Sequence, residues 1–146
     1  PATAGGPIVE IRVPEDMRGG DDWNWNSPYW HTLGAPWGGM ISTAGDLARF
    51  CAMMLDGGRS GEVRVLSTAT VTAATQNQLT AFHDVAEVDR RTRPWGFGWR
   101  MNWPAHAAAF GDFLPVNTYG HWGATGTLWW IHPATQTAAV LLKRPI

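Results

Sequence analysis

The 146-residue chain has one cysteine, one lysine, and no long run of charge or of apolar residues. A single cysteine, Cys51, excludes an internal disulfide and metal sites built from cysteines, and it is most simply a small buried hydrophobe. The 11 basic and 12 acidic residues nearly cancel and the basic ones do not cluster, which argues against nucleic acid or an anionic membrane as a partner. No stretch approaches the ~20 apolar residues that span a bilayer. We therefore expect one soluble domain, cytoplasmic or exported, with no membrane span.

Metal ligands are also lacking in any recognisable pattern, and no cofactor is expected. The five histidines are not spaced with one another or with carboxylates as metal ligands are. For four of them we expect ordinary structural roles: His31, His83, His106 and His132.

The N-terminal part has few signs of regular structure. The chain starts at Pro1 and lacks the charged and then apolar pattern of a signal peptide, so we expect it to be processed or cut from a longer polypeptide. Residues 1–40 are rich in Gly, Pro, Asp and Asn with interleaved aromatics, and only residues 8–13 alternate as a strand does. A lead-in of this length is uncommon in a compact domain unless it is functional or rests on further protein.

Tryptophan, by contrast, is abundant, with ten residues. Large flat side chains in this number indicate an aromatic core or a ligand groove. We expect Trp37 and Trp122 to reach a cleft. Core positions are expected for Trp95, Trp99, Trp129 and Trp130.

Helix signals fill residues 41–79. Thr43 and Asp46 have the spacing of a capping box, and Gly57 and Gly58 end the helix. The apolar residues between them recur at three- and four-residue spacing: Leu47, Phe50, Cys51, Met54 and Leu55. Ser67 caps a second, shorter helix over 68–79, and the charge-dense residues 80–94 are predicted to be a solvated loop.

Residues 95–146 are predicted to supply strands. The alternation of aromatic residues and glycines over 95–101 predicts a strand on which another backbone packs closely. Two apolar runs separated by His132 and Pro133 predict a pair of antiparallel strands. His121 stands on a strand between glycines and is thereby presented to a cleft. The predicted fold class is α/β in the mixed, α+β sense, an antiparallel sheet with helices packed on it.

Four segments occur in the order and approximate spacing of one family. They are residues 38–50 (GGMISTAGDLARF), 54–58 with 65–67 (MLDGG and VLS), 95–99 (WGFGW), and 120–133, which open with GHWG and close with HP. The chain thereby resembles the C-terminal part of a serine β-lactamase-like hydrolase, the group of class C β-lactamases, D-alanyl-D-alanine peptidases and related esterases. The resemblance implies that residues 1–146 are a single C-terminal segment with a partial β-lactamase/transpeptidase-like fold.

Family enzymes use three motifs, of which this chain carries one. A serine in Ser-x-x-Lys attacks the substrate, a Tyr-x-Asn tyrosine helps to move the proton, and a Lys/His-x-Gly triplet faces both. No serine here is followed at the third position by lysine, and neither Tyr29 nor Tyr119 begins a Tyr-x-Asn motif. We therefore expect an N-terminal segment of the same protein to carry the nucleophile, and this chain to be inactive alone.

The resemblance assigns roles to five consecutive residues. His121 would support the proton network and the negative charge of the substrate, Gly123 would keep the strand clear, and the Ala124 amide would be one oxyanion-hole donor. Trp122 and Thr125 would contact a small ester, peptide or β-lactam substrate. Trp122 departs from the pattern, because Thr or Ser at this position can bind the substrate carboxylate through a hydroxyl. This departure favours an ester or peptide over a penicillin.

Two other interpretations stay open. The chain is alternatively a non-catalytic module that binds a sugar or peptide through its tryptophans. A truncated remnant that forms a homodimer through an uncovered sheet face is the other possibility.

Overall fold

The computed structural model describes residues 8–103 and 110–143. In chain order, its helices and strands are α1 (Pro28–Leu33), α2 (Ala44–Leu55), β1 (Arg59–Ser60), β2 (Val63–Arg64), α3 (Thr68–Ala74), α4 (Glu87–Thr92), β3 (Arg100–Met101), β4 (Tyr119–Trp122), β5 (Leu128–His132) and β6 (Thr137–Leu141). Three 3-10 turns lie at Glu15–Met17, Gln78–Ala81 and Pro133–Thr135.

Strands β3 to β6 form one antiparallel sheet in sequence order. The predicted antiparallel pair is confirmed as β5 and β6, which pair from Leu128 with Leu141 to His132 with Thr137. β4 lies along the other edge of β5, and its His121 pairs with Trp129. Because helices pack on this antiparallel sheet, the predicted α+β class is confirmed.

Helix α2 packs against β5 and β6 and forms the core with them. Its buried residues include Cys51, which is 0% exposed and acts as the small hydrophobe that the sequence predicted. The helix begins as expected, because the Thr43 hydroxyl oxygen accepts the Asp46 amide at 3.1 Å. The Asp46 carboxylate accepts from that same hydroxyl at 2.9 Å, so the reciprocal bond of the capping box goes to the Thr43 side chain instead of its backbone amide.

Aromatic rings complete the core around Trp99, which is buried as predicted. Its ring centroid lies 4.9 Å from that of Tyr119 and 5.0 Å from that of Trp129, both in edge-on contacts, and Phe50 stacks on it at 6.0 Å. Such pairs stabilise beyond the area that they bury. Trp129 packs against the core as predicted, whereas Trp95 and Trp130 are half-buried and lie outside the core cluster.

Residues 8–40, the described part of the N-terminal segment, are more ordered than the sequence predicted. Residues 8–13 form no strand, and α1 was not expected. Its first turn is closed by Ser27, whose hydroxyl accepts the Trp30 amide at 3.1 Å, with Pro28 at the first helical position. Pro is favourable there because the first amide of a helix needs no partner.

The segment from the second predicted helix to the predicted strands also differs from the prediction. The second helix, α3, ends at Ala74 instead of Leu79, and Asn77 then turns the chain by accepting the Leu79 and Trp95 amides. Residues 80–94 are not a featureless loop, because they contain α4, with an ion pair of 3.2 Å between Arg93 and Asp89.

The strand predicted over 95–101 is mostly a tight turn. Only β3 is a strand, and Trp95 makes an isolated bridge to Arg100 while Gly96 donates to the Trp99 carbonyl at 2.8 Å. The predicted close backbone approach is confirmed, since a Cβ on Gly96 would collide with the Ala74 carbonyl. Glycine spacing at a turn and in a strand looks alike in the sequence.

Candidate functional site

The five predicted site residues lie together in the hairpin that joins β4 to β5. The Gly123 amide donates to the Thr127 carbonyl at 2.9 Å, and the Gly126 amide donates to the Gly123 carbonyl at 3.0 Å. Gly126 has a φ of 85°, while Ala124 and Thr125 are not among the residues with positive φ. This pattern is a type I turn followed by a left-handed glycine, a common three-residue hairpin loop.

The Ala124 amide has no hydrogen-bond partner in the described part of the chain. Ala124 is the second residue of the turn, whose closing hydrogen bond runs from the Gly126 amide to the Gly123 carbonyl and does not use the Ala124 amide. No described residue accepts a hydrogen bond from it, and Ala124 itself is exposed. An outward amide of this kind is chemically able to donate to an oxygen atom of a bound molecule.

Two glycines of this hairpin have tight surroundings. A Cβ on Gly120 would collide with the Trp129 carbonyl oxygen and lie 2.7 Å from the Trp130 Cα. A Cβ on Gly123 would lie 2.5 Å from the Thr127 hydroxyl oxygen. Packing against Thr127 is thus a structural reason for Gly123, beside the predicted clearance for substrate.

His121 is half-buried with its ring fixed by two neighbours. Its Nδ1 lies 2.7 Å from the Trp122 carbonyl oxygen, and its ring meets the Trp95 indole edge-on at 5.7 Å. A carbonyl only accepts, so Nδ1 carries the hydrogen and donates it. In the neutral ring Nε2 then has the lone pair, and it can accept a proton or a hydrogen bond.

Arg100 on β3 is a member of the site that the sequence did not predict. The centre of its guanidinium lies 4.8 Å from the Trp95 ring centroid and 4.9 Å from that of Trp122. Contacts of this kind are worth about 0.5–1 kcal/mol at exposed sites and about 2 kcal/mol when desolvated. Burial lowers the pKa of the guanidinium from its ordinary value, and its Nε is buried without a partner among the described residues.

A cavity of about 480 Å³ opens beside this arginine. Its lining combines apolar side chains with both members of the Asp89–Arg93 ion pair, and the complete set is Leu79, Asp89, Arg93, Pro94, Trp95, Arg100 and Met101. Trp95 belongs both to this lining and to the contact with His121. The indole predicted to be a core residue therefore separates the cavity from the histidine.

The remaining predicted residues fall as follows. Trp122 is 41% exposed and Trp37 is 74% exposed, whereas Thr125 is half-buried in the hairpin turn. His132, at the end of β5, is buried, and its Nδ1 lies 2.7 Å from the Thr135 hydroxyl, as expected of a structural residue. His106 lies outside the described residues. The roles assigned to the five hairpin residues stay predictions.

Residues 8–103 and 110–143 contain neither a cluster of metal ligands nor a helix that could span a membrane. In these ranges, no three His, Cys, Asp or Glu side chains converge as metal ligands would. None of the helices there has the length and apolar character needed to cross a membrane.

Comparison with known proteins identifies the family. Residues 4–143 match the Beta-lactamase family. The chain belongs to the beta-lactamase family. It is 34% identical over 106 residues to a protein of Escherichia coli O157:H7 provisionally named a D-alanyl-D-alanine carboxypeptidase, covering 72% of this chain and 22% of that protein. A protein of Salmonella typhi with the same provisional name is 34% identical over 123 residues, or 80% of this chain and 25% of its own length.

The predicted resemblance to serine β-lactamase-like hydrolases is therefore confirmed. The chain spans about a quarter of the length of the curated relatives it matches. Its matched residues include the whole hairpin that carries the His-x-Gly triplet.

Proposed function

We propose that this chain is a C-terminal segment of a serine hydrolase that performs acyl transfer, and that it supplies one wall of the active site. The observation that carries the proposal is the outward Ala124 amide, which has no acceptor among the described residues and lies three residues from His121 on one hairpin. A segment with a serine nucleophile and its base would complete the site.

The proposed chemistry needs these two groups when the substrate carbonyl is attacked. The base of the completing segment takes the serine proton as the serine oxygen forms a bond to the carbonyl carbon, and the π electron pair moves onto the carbonyl oxygen. The Ala124 amide then donates to this oxyanion, and the amide of the nucleophile is the second donor. Loss of one such donor typically costs about 2.7–4 kcal/mol of barrier. When the electron pair returns to re-form the carbonyl, the bond to the leaving group breaks, and the leaving group takes up the proton. The Nε2 lone pair of His121 accepts a hydrogen bond within the proton network as the leaving group is protonated.

The substrate class follows from two considerations. The relatives named above carry a name that refers to D-alanyl-D-alanine peptides, which supports an amide or ester carbonyl as the reacting group. Trp122 has no hydroxyl for a substrate carboxylate, and its exposed indole offers a flat apolar contact instead. We therefore propose an ester or peptide as the substrate ahead of a β-lactam.

An acylation experiment tests whether the nucleophile lies outside this 146-residue chain. The 146-residue chain and the polypeptide encoded by the full gene are each incubated with an activated ester and with a fluorescent penicillin, and the intact mass is measured. We expect an adduct on a serine of the longer protein and no turnover by the 146-residue chain. Hydrolysis by the 146-residue chain that survives His121→Ala would refute the proposal, and so would a full gene without a Ser-x-x-Lys motif.

The oxyanion role is tested by Ala124→Pro in the longer protein. Position 124 is the second residue of a type I turn, where proline is favoured, and the turn does not use the amide that proline lacks. We expect the deacylation and acylation rates to fall by on the order of 10²–10³ while the circular dichroism spectrum is retained. Gln136→Gly, in the opposite hairpin, is the matched control and should leave the rates unchanged. An Ala124→Pro protein as active as this control would exclude the amide as a donor.

A non-catalytic binding module is a second candidate, which the exposure of Trp37 favours. In that case fluorescence of the chain alone would change on addition of muropeptides or oligosaccharides, and Trp37→Ala would abolish the change. Binding without acylation of the longer protein would replace the proposal above.

A further inference from the structure

Four residues at the edge of β4 contact one another: Trp95, Arg100, His121 and Trp122. The Arg100 guanidinium lies against the indoles of Trp95 and Trp122. The Trp95 indole touches the His121 ring, and His121 Nδ1 donates to the carbonyl of Trp122. Arg100 is therefore linked to His121 by two routes. One passes through the Trp95 indole, which touches the imidazole, and the other through Trp122, whose backbone carbonyl accepts from Nδ1.

The register of β3 and β4 brings Arg100 and Trp122 together. Arg100 pairs with Gly120 across β3 and β4, and Trp122 lies on the same side of β4, two residues further along. Side chains at such diagonal positions are within reach of long and aromatic residues. The strand register therefore places the guanidinium within contact distance of the Trp122 indole.

We propose that Arg100 is a positioning residue for His121: held between Trp95 and Trp122, it fixes both indoles and thereby keeps the imidazole hydrogen on Nδ1 and the lone pair on Nε2. This inference rests on the proposed acyl-transfer role of His121. Arg100 itself acts through the two indoles and touches no reacting atom.

Arginine suits this role better than other residues would. Its guanidinium is planar and delocalised, so one side chain can lie against two aromatic rings, whereas the ammonium of lysine is a compact and strongly hydrated charge. Arg100 makes no ion pair with a carboxylate of the described residues. The aromatic faces are therefore its principal charge-stabilising neighbours in the described part of the chain.

Loss of the Arg100 guanidinium would change the orientation of the His121 ring. The Trp122 carbonyl accepts from Nδ1 only while the strand backbone and the ring keep their relative orientation. The two indoles flank the imidazole, with the Trp95 centroid 5.7 Å and the Trp122 centroid 6.5 Å from that of His121. Without the guanidinium, both indoles can change rotamer, and the imidazole is then free to turn away from the carbonyl. The imidazole then exchanges between its two tautomers, and Nε2 loses its fixed lone pair.

The test uses the 146-residue chain labelled with ¹⁵N-histidine, in a buffer alkaline enough to keep imidazoles neutral. Long-range ¹H–¹⁵N spectra report which ring nitrogen carries the hydrogen. In the native chain we expect His121 to be protonated on Nδ1. In Arg100→Met we expect that signature to be lost, with the other histidines unchanged, and in Arg100→Lys we expect partial recovery.

Arg93→Met is the matched control, because Arg93 lines the same cavity and is paired with Asp89, and the cation–π contacts to both indoles in the described residues are made by Arg100. It should leave the His121 signals in place. Should Arg100→Met fail to fold, Trp95→Leu removes one indole and retains an apolar side chain, and it should give the same loss. An unchanged His121 in folded Arg100→Met or in folded Trp95→Leu would overturn the proposal, as would histidine signals that all shift together.

A kinetic measurement separates this proposal from the function on which it rests. In the acyl-transferring longer protein, Arg100→Met should lower kcat by on the order of tenfold to a hundredfold with KM little changed, because a misplaced catalytic group costs rate more than binding. If the longer protein has no such activity, the proposed function fails while the tautomer result still decides whether Arg100 positions His121.

Discussion

A single methyl group at Gly120 should separate the two strands that form the site. A Cβ there would lie 2.7 Å from the Trp130 Cα, whereas carbon atoms in contact stay about 3.5–4.0 Å apart. Strand β5 would have to move by roughly 1 Å, which takes ladder hydrogen bonds of ordinary length beyond the limit of about 3.2 Å. Overpacking costs about 1–3 kcal/mol, and each lost hydrogen bond adds about 0.5–1.5 kcal/mol.

We therefore expect Gly120→Ala to lower the free energy of unfolding by about 3 kcal/mol or more, a large part of the 5–15 kcal/mol typical of a domain. Urea denaturation followed by tryptophan fluorescence measures this. Gly20→Ala is the control, because the nearest atom to its Cβ is the Met17 carbonyl oxygen at 3.5 Å. Gly123→Ala should fall between the two, and Thr127→Ala should relieve its cost, since the Thr127 hydroxyl is the colliding atom. Equal midpoints for Gly120→Ala and Gly20→Ala would refute the reasoning.

Two further predictions concern the core and its helix. Burial raises the pKa of Tyr119 to about 12 from 10.0, so the folded state holds the proton more tightly, and stability present below pH 10 is lost as the pH rises toward 12. Tyr119→Phe should reduce this alkaline loss, by up to about 3 kcal/mol, in denaturation at a series of pH values; an unchanged pH dependence would contradict the assignment. Thr43→Ala removes the α2 cap and should cost about 0.5–2 kcal/mol in the same assay, against no cost for exposed Thr72→Ala.

Local chemistry explains which elements could be predicted. Helix α2 has a cap, a periodic apolar face and a double-glycine end, and these signals act over a few residues. The pair β5 and β6 is similarly marked by two apolar runs around a short turn. α4 has neither an apolar face nor a side-chain cap, and only its ion pairs distinguish it from a solvated loop. The sequence predicts a strand where residues 96–99 form a turn, because alternating aromatic residues and glycines occur in both.

The candidate site likewise contains residues that the sequence predicted and one that it did not. The sequence identified the hairpin residues from His121 to Thr125 because the family pattern is contiguous there. Arg100 was missed because it is 21 positions before His121 (121 − 100), in a segment whose signal was aromatic packing. Only the pairing of β3 with β4 brings its guanidinium to Trp122. No local pattern encodes such a contact.

The sequence by itself determined the family, the α+β class, the α2 helix and the His-x-Gly hairpin, because each depends on residues close together in the chain. Tertiary structure alone decided where Arg100 lies and that the Trp95 indole meets the His121 ring. Those properties depend on strand register and on contacts across the sheet, and the register is fixed only when the whole hydrophobic face packs against α2.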